Sequence, residues 1–164
     1  MSQTEKYLKE AFAGESQANR KYLAFAEKAD QEGYRQVAKL FRAAAAAETI
    51  HAHAHLRALD GIKSTAENLK EAVEGETYEF KSMYPPMIAA AEAEGNTAAV
   101  RTFTYANEVE KVHAALYNKA MEKMGDLAQT DIHVCRVCGY TVEGEAPDEC
   151  PVCKSKKQAF FKVD

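Results

Sequence analysis

A chain of 164 residues, 46% hydrophobic and 28% charged, has room for one mid-sized domain and a small module. Its composition is that of a globular protein, which excludes disordered and fibrous classes. The net charge of −4 leaves no basic excess to neutralise phosphates, so nucleic-acid binding is not expected. No apolar run approaches the ~20 residues that span a bilayer, so no membrane association is expected. No apolar stretch stands behind Met1-Ser2-Gln3-Thr4-Glu5-Lys6. The expected location is therefore the cytoplasm.

The elements follow in chain order. Ser2 and Glu5 form a capping-box pattern that opens a first helix, predicted to run to about Glu32 and to stop at Gly33. A second helix is predicted from Tyr34 to Leu59, ending at Asp60-Gly61. Ser64 and Glu67 repeat the capping pattern and open a segment leading into a third helix. Pro85-Pro86 interrupts that helix and predicts a kink just past Met83. Gly95-Asn96 closes it and caps a fourth helix that ends near Gly125. Four helices of this length predict an all-α bundle over residues 1–125. A short linker, 126–131, leads to a cysteine-bearing β/loop module at 132–164, too small for an apolar core of its own and expected to be stapled by a metal.

Each predicted helix carries an apolar stripe, and each stripe is broken near its middle by a carboxylate. Glu15 interrupts the first, between Phe12 and Ala18. Glu48 interrupts the second, followed by His51 and His55. Glu76 and Glu79 both lie on the third, and periodicity does not choose between them. Glu110 interrupts the fourth, followed by His113. A buried carboxylate costs several kcal/mol unless it is paired or binds a metal. Four of them with no basic partner in the stripes call for a bound metal. Four carboxylates and two imidazoles suit a pair of iron or manganese ions, whereas a tetrahedral zinc would leave ligands unused. The pattern repeats: a lone Glu on one helix precedes Glu-x-x-His on the next, as Glu48-Thr49-Ile50-His51 and Glu110-Lys111-Val112-His113. That is the signature of ferritin-like di-iron carboxylate bundles. Tyr22, seven residues after Glu15, reads first as a core aromatic and second as a group able to hydrogen-bond a ligand carboxylate.

All four cysteines fall between 135 and 153, in two Cys-x-x-Cys knuckles: Cys135-Arg136-Val137-Cys138-Gly139-Tyr140 and Cys150-Pro151-Val152-Cys153-Lys154. In a reducing compartment such clustering means a four-thiolate metal site rather than disulfides, and it accepts either zinc or one iron.

Taken with Gly14-Glu15-Ser16-Gln17-Ala18, Gly75-Glu76-Thr77-Tyr78-Glu79, Met83-Tyr84-Pro85 and Glu108-Val109-Glu110, these motifs make the chain resemble the rubrerythrin family across nearly its whole length. The resemblance implies a ferritin-like di-iron bundle with a C-terminal rubredoxin-like domain, and one iron on Cys135, Cys138, Cys150 and Cys153. It implies bridging roles for Glu48 and Glu110, terminal roles for Glu15 and Glu79, and His113 on one iron. His51's position is, in the family, a redox-dependent ligand alternating with a second glutamate. Counted three residues on from Glu79, that glutamate is replaced by Ser82, so the expectation is a lost ligand switch, His51 bound throughout and chemistry leaning towards an oxidase.

The implied activity is an oxidoreductase, a non-haem peroxide reductase that turns hydrogen peroxide into water with electrons from an external reductase. The alternatives are a ferroxidase or O2-reducing oxidase, or a non-enzymatic iron- or zinc-binding protein. The resemblance also implies a homodimer or higher assembly, in which helices can be exchanged and one subunit's module serves the other's bundle. A tether argument points the same way. Helix four continues past Glu110 for roughly 20 Å at ~1.5 Å per residue, which would hold the module away from its own metal ligands.

Overall fold

The computed structural model describes all of residues 1–164. It divides into two compact units, Met1–Lys63 and Ser64–Asp164. The first is a helical hairpin of α1 (Gln3–Gln31) and α2 (Arg35–Ala58). The Ser2/Glu5 capping box is formed in both directions, and the chain turns at Gly33 with φ +85°. Small residues let the two helices approach: Ala26, Ala29 and Ala38 are buried with Phe41 packed against them. Tyr22, Phe25 and Phe41 stack their rings at the same end, with centroids 5.6–6.3 Å apart. Further along, the buried Asn19 donates through Nδ2 to Ala45 O at 2.7 Å and to Thr49 Oγ1 at 2.8 Å. Its Oδ1 accepts from Arg20 Nε at 2.8 Å, so the amide's burial leaves neither end unpaired.

The second unit begins with the Ser64/Glu67 capping box, which opens α3 (Thr65–Tyr78) directly. A π-helical turn, Glu79–Met83, carries the chain into α4 (Tyr84–Ala93). The predicted kink past Met83 is thus realised as a widened turn just before the prolines. Pro85 and Pro86 have no N–H to offer the carbonyls of Lys81 and Ser82, so a regular α-helical ladder cannot close there. Tyr84 N–H instead reaches back to Glu79 O. Asn96 Oδ1 accepts from Ala99 N at 3.1 Å and caps α5 (Thr97–Glu122), against which α3 and α4 pack. No helix is long and apolar enough to cross a membrane.

After residues 123–131 the chain forms a three-stranded antiparallel sheet in the order β2-β1-β3, with β1 Ile132–Cys135, β2 Thr141–Glu143 and β3 Phe160–Val163. The residue after each knuckle's second cysteine is left-handed: Gly139 at φ +84° and Lys154 at φ +63°. Each knuckle closes on a backbone bond, Gly139 N–H to Cys135 O at 2.8 Å and Lys154 N–H to Cys150 O at 3.0 Å. Arg136 lies over the Phe161 ring at 4.4 Å, and Tyr140 meets Phe160 edge-on.

Candidate metal centres

The first unit gathers Glu15, Glu48 and His51. His51 Nδ1 lies 3.0 Å from Glu48 Oε2 and 3.9 Å from Glu15 Oε1. The i, i+3 spacing of α2 puts Glu48 and His51 one turn apart on a single face. Glu15 and Glu48 share a hydrogen bond. It raises Glu15 above the usual carboxylate range, with burial and the Glu48 charge adding to the effect. The same bond, together with the one to His51, lowers Glu48. The pair thus behaves as two carboxylates holding one proton in the absence of a cation. His51 keeps 55% of its side chain exposed.

The second unit gathers Glu76, Glu110 and His113. His113 Nδ1 lies 2.7 Å from Glu110 Oε2 and 3.6 Å from Glu76 Oε2. Burial, then Glu110, raises Glu76 to about 7. Burial also raises Glu110 and Glu79. Tyr84 is driven above its ordinary value by burial and by the charges of Glu79, Glu110 and Glu76, so its hydroxyl stays protonated beside them.

On the third helix the clustered carboxylate is Glu76. Glu76 stands in the triad, and Glu79, preferred by the sequence reading, stands outside it. Glu79 instead opens the π turn, where the charges of Glu76 and His113 reach it. The family's second glutamate, three residues beyond the helix-three ligand, then falls at Glu79, and Ser82 is an exposed residue of the π turn. Tyr22 takes the core-aromatic place, its ring among Phe25 and Phe41. Tyr84 is the tyrosine that faces the charged cluster.

The four cysteines meet in the module as free thiols. Cys135 and Cys150 are buried, and the Sγ atoms pair at 3.6 Å (Cys135 with Cys153) and 3.5 Å (Cys138 with Cys150). A four-sulfur tetrahedron with metal–sulfur bonds of about 2.3 Å has edges of about 3.8 Å, so the spacing fits one ion and is far too long for disulfides. Burial pushes the Cys138 and Cys150 thiols up. Burial also acts to raise Cys153, but hydrogen bonds led by those from Ser155 outweigh it and leave this thiol at about 7. Four clustered sulfurs, two of them raised by burial, need a cation to become thiolates together.

The module does not stand away from the α5 ligands, as the tether argument expected. Thr141 Oγ1 on β2 lies 3.0 Å from His113 Nε2. Lys119 of α5 pairs with Glu143 of β2. A Cβ placed on Gly139 would meet Val109 Cγ1 at 3.7 Å, so the first knuckle rests on the residue preceding Glu110. Thr141 belongs to no motif named above, and Tyr84 stands in Met83-Tyr84-Pro85 without a role that the sequence assigns; the folded chain brings Thr141 to His113 and Tyr84 to the carboxylates.

Comparison with known proteins agrees with this geometry. Residues 6–121 match the rubrerythrin family, and residues 133–161 match the rubrerythrin rubredoxin-like domain. The chain is 34% identical to rubrerythrin-2 of Clostridium acetobutylicum, over 96% of this chain and 95% of that protein. It is 38% identical to nigerythrin of Nitratidesulfovibrio vulgaris, over 93% of this chain and 83% of that one. A solved mixed-valence structure of nigerythrin superposes with a TM-score of 0.59, covering 99% of this chain and 88% of that one at 38% identity. The cofactors are accordingly two irons for the carboxylate–histidine ligands and one iron for the four cysteines. With its four long helices and its small four-cysteine sheet, the chain is an iron-dependent redox protein that belongs to the rubrerythrin family, a ferritin-like helical domain followed by a rubredoxin-like one.

Proposed function

We propose that this protein is a peroxide reductase, with Glu15, Glu48, His51, Glu76, Glu110 and His113 as the ligands of a di-iron pair and Glu79 as a carboxylate that alternates with His51. The observation that carries the reading is the hydrogen bond between the four-cysteine module and His113, because it joins a one-electron carrier to a ligand of the two-electron site. Hydrogen peroxide takes up two electrons and two protons and leaves as two waters. When bound, the irons would supply the electrons and Lewis acidity, and Cys135, Cys138, Cys150 and Cys153 would hold the one through which an external reductase refills the site.

The protein's own groups set the conditions. Glu48 and Glu110, each bonded to the histidine one turn on, would hold the metal together with that histidine. Glu76, with an affinity for protons near neutrality when no cation is present, gives up its proton on loading. Tyr84 keeps its proton beside three carboxylates and is a hydrogen-bond donor within the centre. This reading takes His51, more than half exposed, as the ligand that leaves, and Glu79, at the start of the π turn beside the Glu76 charge, as the one that enters. The helical domain spans 1–125, the linker 126–131 and the iron module 132–164. A cytoplasmic location suits four free thiols. A homodimer suits the exposed stripe Tyr34, Val37 and Leu40 on α2 and its N-cap.

Rapid mixing of the chemically reduced, iron-loaded protein with hydrogen peroxide or with O2 tests the activity. Peroxide should reoxidise the centre at least about tenfold faster than O2 at equal concentration, a gap of about 1.4 kcal/mol in barrier. Faster reaction with O2 would replace this reading with an oxidase or ferroxidase.

A further inference from the structure

His113 has two ring nitrogens with different partners. Nδ1 faces Glu110 and Glu76, and Nε2 faces Thr141 Oγ1. The Thr141 hydroxyl has one proton, and it donates it to Gly139 O at 3.0 Å. Its oxygen therefore faces His113 as an acceptor, which requires the ring proton on Nε2 and leaves the Nδ1 lone pair for a metal. The result is a directed chain: His113 Nε2–H to Thr141 Oγ1–H to the carbonyl of Gly139. That carbonyl belongs to the residue directly after Cys138. Such chains polarise cooperatively in a low-dielectric setting.

We infer that Thr141 is a positioning residue with two tasks: it fixes His113 as an Nδ1 ligand, and it latches the four-cysteine module onto the α5 helix of the same chain. The inference rests on the ligand assignment proposed above for His113. It is independent of whether peroxide is the substrate.

The surroundings support both tasks. Gly139 rests on the buried Val109, and Lys119 pairs with Glu143, so the latch has an apolar contact on one side and a charged one on the other. Beside it opens a cavity of about 280 Å³ lined by His113, Leu116, Tyr117, Thr141 and Glu143 among others. Water there would take over Nε2–H if the hydroxyl were removed. The counterpart histidine in the other unit has no such anchor: His51 Nδ1 bonds Glu48, and its Nε2 has no partner. Thr141 therefore makes His113 the fixed imidazole of the two.

The test uses the full-length protein loaded with zinc at both sites, which is diamagnetic and does not turn over. In the wild type, nitrogen-15 correlation spectra should show His113 protonated on Nε2, with that proton protected from exchange. Thr141→Val keeps the β-branched shape and the strand preference while removing the hydroxyl. It should speed Nε2–H exchange, and backbone exchange of Val142 and Gly139, by about tenfold at unchanged zinc content. Thr141→Ser should restore both to near wild-type values. A His113 proton on Nδ1 in the wild type, or exchange unaltered by Thr141→Val, overturns the inference. If the valine variant does not fold, the wild-type tautomer and exchange rate still decide it. A protein that shows the latch yet prefers O2 to peroxide would retain this inference and lose the proposed activity.

Discussion

Two triads in this chain are built from one sequence device and end in different physical states. Glu15 with Glu48-x-x-His51 lies on a bare helical hairpin, where the proton affinities are set by carboxylates bonding one another and the imidazole is more than half exposed. Glu76 with Glu110-x-x-His113 lies where burial raises every carboxylate and a hydroxyl from another element holds the imidazole. The lesson is that a ligand motif fixes which atoms are available, while the elements packed behind it fix whether they can move. In this protein the unanchored histidine is His51, the position that alternates in the family, and the anchored one is His113.

The largest effect expected from this contrast is all-or-none. Cys138→Ser should abolish reductase-coupled turnover, and so should Glu110→Ala. Because the module sits on its own α5, verified mixed assemblies of these two variants should recover no activity: each chain then has either a working module or a working α5 triad, never both. Recovery would show that the module serves a partner's helix instead, as the tether argument and the resemblance first implied.

A smaller contrast is expected between the histidines. His113→Ala should weaken metal binding by about 10- to 100-fold, the range seen when a well-supported ligand shell is disturbed. His51→Ala should cost several-fold less, since its ring is held only from the Glu48 side. Calorimetric titration with ferrous iron under anaerobic conditions distinguishes the two. Equal losses would remove the fixed-and-mobile distinction.

The smallest effect is a pH dependence confined to the α5 side. In the metal-free protein Glu76 binds its proton more tightly folded than unfolded, at about 7 against 4.5. Between those values the folded state carries the extra proton, so stability falls as pH rises through that window. Metal loading expels the proton and should flatten the slope. Denaturant melts of the metal-free protein from pH 4.5 to 7.5 should show the decline, and Glu76→Gln should lose it. A Glu48→Gln variant should keep it, because raised Glu15 and lowered Glu48 offset one another.

Local signals were the legible ones. Both capping boxes, the stop at Gly33, the two Glu-x-x-His turns and the paired cysteine knuckles depend on residues a few positions apart, and the folded chain has them all. The choice between Glu76 and Glu79 was not legible in the periodicity, because the two lie three residues apart on one helical face; the resemblance pointed to Glu79, and the folded chain clusters Glu76 with Glu110 and His113. Thr141 was not legible either: its contact with His113 spans 28 residues and follows no period. The tether argument failed for a related reason. Chain length limits how far a module can lie from a ligand, but the module returns along α5 to pack beside His113.

The π turn also bears on which changes in gene length this protein tolerates. Tyr84 follows Glu76 by eight positions, which in a regular α-helix at about 100° per residue would leave it well off the ligand-bearing side. The widened turn absorbs one residue and brings Tyr84 back to the carboxylates that perturb it. Loss of a single codon between Glu79 and Met83 would let the stretch revert to a regular α-helix with Tyr84, then seven positions from Glu76, still on the carboxylate side, but would leave Pro85 and Pro86 without the relief the turn gives them. Lys81 and Ser82, both exposed, can vary in identity, the turn is the place where one residue can be lost without turning Tyr84 away from Glu76, and an alignment drawn without a gap against a relative one residue shorter here would pair the wrong carboxylates.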